Sequence, residues 1–311
     1  MVINRQQLLV VCAVMMLSSL VTFLVMRGDR ATNFLDHSLL NPVVDSSLNK
    51  HFIINFQPLR RSFDSIKAHY SPNTRVYFSY LNNAAWVGVG ERDLFTAASL
   101  IKVPLAMAVY KAVEDKKLDV EDVYDLEEID LNSEFGELYK DGTGSRFTVE
   151  RLIEIMLTQS DDTAANALYK ILTRIGLSDP LNEVYRSMGW EFRDFNDAPN
   201  YGVIHVKVLS NMFLALYNAT YVNPEHSQQI LEHLTNTSFN NQIVAGVPKG
   251  ILVAHKIGIY EPDGTISDCG IVYAPHREYV LCAASSGLSR DRADAFVKEV
   301  SQAAYEYVLN N

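Results

Sequence analysis

Phe95-Thr96-Ala97-Ala98-Ser99-Leu100-Ile101-Lys102-Val103-Pro104-Leu105-Ala106-Met107 is the stretch that decides how this chain is read. Ser99 and Lys102 stand three residues apart, and the small and apolar residues around them predict a helix from Ser99 to about Val113. Pro104 is compatible with that helix because it falls near the start, where a missing N–H breaks no intrahelical bond. On one helical turn the two side chains share a face. A serine hydroxyl is a weak nucleophile until a base takes its proton. A lysine serves as that base when desolvation or nearby positive charge lowers its pKa. The helix start also leaves backbone N–H groups beside the serine, and these suit a developing oxyanion.

One serine–lysine pair is weak evidence, since Ser47 and Lys50 repeat the spacing in a polar stretch. Two distant segments strengthen it. Ser160-Asp161-Asp162, within Met156 to Asn166, opens a predicted helix, and Lys256-Ile257-Gly258, within Val253 to Ile259, lies on a predicted strand. Lys140-Asp141-Gly142 imitates the second segment but sits in a glycine-rich turn.

The elements between these segments set the architecture. Leu59, Phe63, Ile66 and Tyr70 recur at helical spacing from Pro58. Two β-like runs follow, Thr74 to Leu81 and Ala84 to Gly90, joined by Asn82 and Asn83 as in a hairpin. The Gly88-Val89-Gly90 turn lacks the third glycine and the βαβ setting of a nucleotide loop. Residues 118 to 235 read as mostly helical, with a cap at Thr148 and further helical runs at Thr163 to Leu172 and Val208 to Tyr217. After residue 250 the period becomes that of strands, at Ile251 to Ile259, Cys269 to Ala274 and Tyr279 to Ala284. A last amphipathic helix starts near Arg290, with Phe296, Val297, Val300, Ala304 and Val308 on one face. The expected fold is α+β: an antiparallel five-stranded sheet flanked by N- and C-terminal helices, with an inserted all-helical lobe at about 118–235. The cleft between sheet and lobe is the expected site.

Taken together and in order, the three segments resemble the S-x-x-K, S-D-N and K-T-G elements of class A β-lactamases and penicillin-binding proteins. The resemblance runs from about residue 55 to 308. It includes the surroundings Ala97 to Pro104, Gly142 to Val149 and Asp268 to Pro275. It implies Ser99 as nucleophile, Lys102 as its activating base and Ser160 as the relay to the leaving nitrogen. It further implies Lys256 as positive charge for a substrate carboxylate, the N–H groups of Ser99 and Ile259 as an oxyanion hole, and Gly258 as the point where the edge strand approaches the substrate. Asp161 reads as a structural cap.

Three departures stand out. Asp162 replaces the asparagine of the second element; a carboxylate only accepts hydrogen bonds, and beside Lys102 it favours the charged ammonium. Ile257 removes the hydroxyl of the third element. The loop that would carry a deacylating glutamate offers Glu191, Asp194 and Asp197, and the sequence does not choose among them. The resemblance therefore implies a serine hydrolase forming an acyl-enzyme on Ser99, acting on β-lactam amides. The alternatives are a D,D-peptidase acting on cell-wall peptide, or a degenerate site kept as a membrane-anchored binding module.

Bulk properties agree. The 311-residue chain is 48% hydrophobic and 21% charged, enough for a sizeable core. Its formal charge of −10 disfavours nucleic acid as a partner. Histidines and cysteines lack metal-ligand spacing, so no metal or other cofactor is expected. Cys269 and Cys282 fall on neighbouring strands of a hairpin, where they could meet; they are read as two buried free thiols. Leu8 to Met26 is an uncharged apolar run long enough to cross a bilayer, with Arg5 before it and Arg27, Asp29 and Arg30 after it. No A-x-A cleavage site follows. Residues 1–30 are thus expected to be a membrane anchor or signal segment, 31–50 a linker, and 51–311 a hydrolase-like domain outside the cytoplasm. Secretion after signal cleavage is the alternative.

Overall fold

A computed structural model describes residue 53, residues 55–187 and residues 202–311. The apolar run at Leu8 to Met26, the Ser47–Lys50 pair, and Glu191, Asp194 and Asp197 lie outside the described residues. Among the described residues no helix is long and apolar enough to cross a membrane.

The helix α1 (Gln57–Tyr70) buries Leu59, Phe63 and Ile66. The strands β1 (Thr74–Tyr80) and β2 (Trp86–Val89) form the expected hairpin, with Val76 opposite Val89 and Ser79 opposite Trp86. The C-terminal strands are β7 (Val253–Tyr260), β8 (Thr265–Val272) and β9 (Tyr279–Ser285), ahead of the helix α8 (Arg290–Asn310). All five strands make one antiparallel sheet in the order β2-β1-β9-β8-β7. The chain's first and last strands meet at its centre, where Thr74 faces Ser285 and Tyr80 faces Tyr279. Every residue of β1, β8 and β9 is buried, so both faces of the sheet are covered.

One face packs Val76, Phe78 and Leu281 against Leu59, Phe63, Phe296 and Val300 of α1 and α8. The other packs Tyr77, Ala254, Cys269, Ile271 and Cys282 against the inserted lobe. That lobe is built from α2 (Lys102–Glu114), α3 (Val149–Thr158), α4 (Asp162–Arg174), α5 (Pro180–Ser187), α6 (Val206–Tyr217) and α7 (Pro224–Thr235). α2 is buried on nearly all sides and runs through the lobe's centre. Pro104 falls in its first turn.

Two expectations are corrected. The lobe is not wholly helical: β3 (Phe95–Thr96) pairs with β6 (Val203–Ile204), and β4 (Val123–Asp125) with β5 (Arg146–Thr148). Ribbons of two or three residues are too short to show a period of two. The helices α5 and α7 also stand apart as elements of their own. α7 carried a readable start, Asn223 accepting from the His226 N–H ahead of Pro224. Finally, Cys269 and Cys282 are not free thiols but a disulfide, because register sets them directly opposite each other on β8 and β9.

Phe63 is fully buried between α1 and the sheet. Phe63→Ala is expected to lower unfolding stability by about 3–5 kcal/mol, read from the denaturant midpoint of the purified chain.

Candidate active site

Three elements converge on one cleft. Ser99 sits in a single 3-10 turn, Ala98–Ile101, that leads directly into α2. Ala98 is held at φ 48°, a left-handed conformation that a residue with a Cβ adopts only when its surroundings impose it. The turn is clamped by the Ala97 N–H donating to Gly202 O at 3.0 Å and by β7 packing against it.

Gly258 makes that packing possible. A Cβ there would lie 2.7 Å from Ala97 O and 2.7 Å from Ser267 Oγ. The approach expected at Gly258 is to substrate; the close approach seen in the structure is to the backbone beside the Ser99 turn. Ile259 follows on the same edge strand, partly exposed.

Lys102 and Ser160 come from opposite ends of the lobe's inner wall. Lys102 Nζ donates to Ser99 Oγ at 3.0 Å, to the Ser160 carbonyl at 2.5 Å and to Asp162 Oδ1 at 2.5 Å. Its distance to Ser160 Oγ is 3.4 Å. Lys256 Nζ approaches the same hydroxyl from β7, donating to Ser160 Oγ at 2.7 Å and to Ile257 O at 3.3 Å. One hydroxyl thus stands between two ammonium groups. Ser160 is itself left-handed, at φ 59°. The next residue holds it there. Asp161 caps α4 by accepting from the Ala164 N–H at 2.9 Å, and its other oxygen accepts from the Leu138 N–H at 2.9 Å. Asp161 thus has the structural place read from the sequence.

Both lysines are deeply buried, Lys102 at 4% and Lys256 at 1% exposure. Burial pushes the Lys102 ammonium below the ordinary lysine range, and the adjacent Asp162 carboxylate pulls against it. Burial pushes Lys256 well below that range, and the charge of Lys102 pushes it further. Asp162 opposes burial without overcoming it, so Lys102 is a better base than a lone Lys–Asp contact suggests. Ile257 is buried, and strand alternation turns it away from Lys256, onto the face that carries Asp268.

Two features had no signal in the sequence. The Phe239 ring lies 5.9 Å from Lys256 Nζ, and Phe239 also stands 5.9 Å from Phe135, whose carbonyl accepts from the Asp162 N–H at 2.9 Å. Behind β7, His255 and Asp268 form a buried pair at 2.8 Å, with Asp268 also accepting from the Ile243 N–H at 3.1 Å. The imitation at Lys140 is an exposed turn whose lysine pairs with Glu137 at 2.8 Å.

The sequence matches the beta-lactamase enzyme family over residues 58–308. The chain belongs to this family. Beta-lactamase 3 of Bacillus cereus is 23% identical over 245 residues, 75% of each chain. A beta-lactamase of Phocaeicola vulgatus is 22% identical over 236 residues, 70% of this chain and 71% of that one. Among solved structures, PBP-A superposes with a TM-score of 0.74 at 23% identity, covering 85% of this chain and all of that one. A variant of PBP-A solved as an acyl-enzyme with penicillin G superposes at 0.72, with 24% identity and coverage of 81% and 97%. These structural likenesses establish the shared beta-lactamase-like fold.

Gly258→Ala forces either β7 or the Ser99 turn to move. It is expected to cost about 1–3 kcal/mol of stability and to slow labelling of Ser99 by a serine-reactive fluorophosphonate. Thermal melts and labelling time courses measure the two effects.

Proposed function

We propose that the chain is an amide hydrolase that works through an acyl-enzyme on Ser99. The observation that carries this is the Ser99–Lys102–Ser160–Lys256 chain of hydrogen bonds, which gives a proton a path from nucleophile to leaving group. Lys102, as the free amine, takes the Ser99 proton while Oγ bonds to the substrate carbonyl carbon. The N–H groups of Ser99 and Ile259 receive the oxyanion. The C–N bond then breaks, and Ser160 hands its proton to the leaving nitrogen while Lys102 or Lys256 restores it. Water later releases the acyl group. Both lysines serve best when uncharged or sharing a proton, and their burial supports this.

The substrates this chemistry fits are a β-lactam ring and a D-alanyl peptide of the cell wall, with Lys256 facing the leaving-group side. Both are met outside the cytoplasm, to which the Leu8 to Met26 run would anchor the domain. A peptidase-like reading, with a long-lived acyl group, follows where no group activates the deacylating water. Asp162, 2.5 Å from Lys102, favours the charged lysine and so bears on acylation.

Incubation of the full-length chain with a penicillin is expected to add one drug mass, and Ser99→Ala to add none, by intact mass spectrometry. Rapid loss of the adduct marks a lactamase and persistence a peptidase-like protein. An adduct on Ser99→Ala would refute the mechanism.

The acylation rate is expected to rise with pH as Lys102 loses its proton. Asp162 holds the Lys102 pKa up, so Asp162→Asn lowers it, and the rising limb moves to lower pH. Acylation rates across pH for both proteins check the direction.

A further inference from the structure

The groups at the bottom of the cleft differ sharply in what they show to a substrate. Lys102 has committed its three donor directions to Ser99 Oγ, the Ser160 carbonyl and Asp162. Lys256 is sealed by Ser160 Oγ, Ile257 O and the face of Phe239. Both lysines are buried, at 4% and 1% exposure. Among the described residues the charges that bear on Lys102 are Asp162 and Asp161, and those that bear on Lys256 are Lys102, Asp268 and Asp162. Asp161 and Asp268 are buried and bonded to backbone N–H groups.

Asp162 is the exception. Its side chain is 23% exposed, and only Oδ1 is engaged by Lys102. Among the described residues Oδ2 has no hydrogen-bond partner. The cleft therefore presents a partly exposed nucleophile, Ser99, and beside it a carboxylate, while its cations lie underneath. On the acyl-Ser99 reading Ser160 and Lys256 take the leaving-group side, which assigns the acyl side of a substrate to Asp162 on the Lys102 flank.

We propose that Asp162 selects acyl donors by charge, so that the site prefers a substrate carrying an ammonium group near the scissile carbonyl, on the acyl side, over one carrying a carboxylate there. A carboxylate oxygen accepts N–H donors and repels carbonyl and carboxylate oxygens. An ammonium placed there finds a counter-ion in a partly desolvated site; an anion there meets the Asp162 carboxylate, with Lys102 and Lys256 buried beneath. This rests on the acyl-Ser99 reading above and names the class of substrate it favours. Asp162 here acts on the substrate as well as on Lys102, and the two effects separate experimentally. Tuning of Lys102 alters the rate with every substrate equally, whereas charge selection alters the ratio between substrates.

The test uses three penicillins that share one nucleus and differ only at the acyl α-carbon, which bears hydrogen, ammonium or carboxylate. The rate of adduct formation on the full-length chain is followed by intact mass spectrometry. The ammonium compound is expected to react fastest and the carboxylate compound slowest, with a ratio of about tenfold or more between them. The ratio is expected to shrink as salt is raised. Asp162→Asn is expected to bring it close to one, and Asp162→Glu to keep its direction. Ser99-dependent adducts formed at equal or inverted rates overturn the charge selection and leave the acyl-serine reading standing. A uniform fall in all three rates on Asp162→Asn, with the ratio kept, overturns it too. Absence of any adduct together with no consumption of the penicillins, or adducts that survive Ser99→Ala, overturns both. Should Asp162→Asn fail to fold, the native ratio and its salt dependence decide.

Discussion

Two ammonium groups buried around a single hydroxyl are the constraint on which this molecule is organised. Removing a charge from water is costly, and here Lys102 and Lys256 are both removed and set on either side of Ser160. Among the described residues only one carboxylate, Asp162, touches either of them. Such an arrangement holds only if the rest of the fold over-determines it. The central helix of the lobe fixes Lys102, the Asp161 cap fixes Ser160, and the sheet edge fixes Lys256. What stability loses by burying these cations appears at the site as lysines that give up protons readily.

The same constraint accounts for the strain around the site. Ala98 and Ser160 both take left-handed backbone conformations without being glycine. Each lies one bond from a group with fixed partners, Ser99 in one case and Asp161 in the other. Gly258 works in the opposite way: there the absence of a side chain lets β7 come close to the Ala97 carbonyl. A strained turn, a strained cap and a bare edge strand meet within one cleft, as expected where local preference yields to function.

Asp162 and Ile257, two of the three departures from the family's motifs, have different physical standing. Ile257 is buried and faces away from Lys256, so its side chain belongs to packing beneath the strand. Asp162 faces the cleft and is bonded to the group that bonds the nucleophile. A change at that point reaches both the base and the substrate's surroundings.

The linear chain already determined the α+β layout. Periodicity changes from helix to strand and back, and hairpin-length connections enforce antiparallel pairing, so α1, the β1–β2 hairpin, β7 to β9 and α8 were all legible. The three motifs were legible too, because chemistry demands particular residue types at short spacings. The rest came from contacts between segments far apart in sequence. The disulfide depended on strand register, and the short ribbons β3–β6 and β4–β5 on tertiary pairing. The Phe239 cap over Lys256, the left-handed turns at Ala98 and Ser160, and the balance of burial against Asp162 at Lys102 likewise required the folded chain. Sequence spacing specifies which groups share a helical turn. How far each is removed from water, and what stands across the cleft from it, is decided only when distant elements pack together.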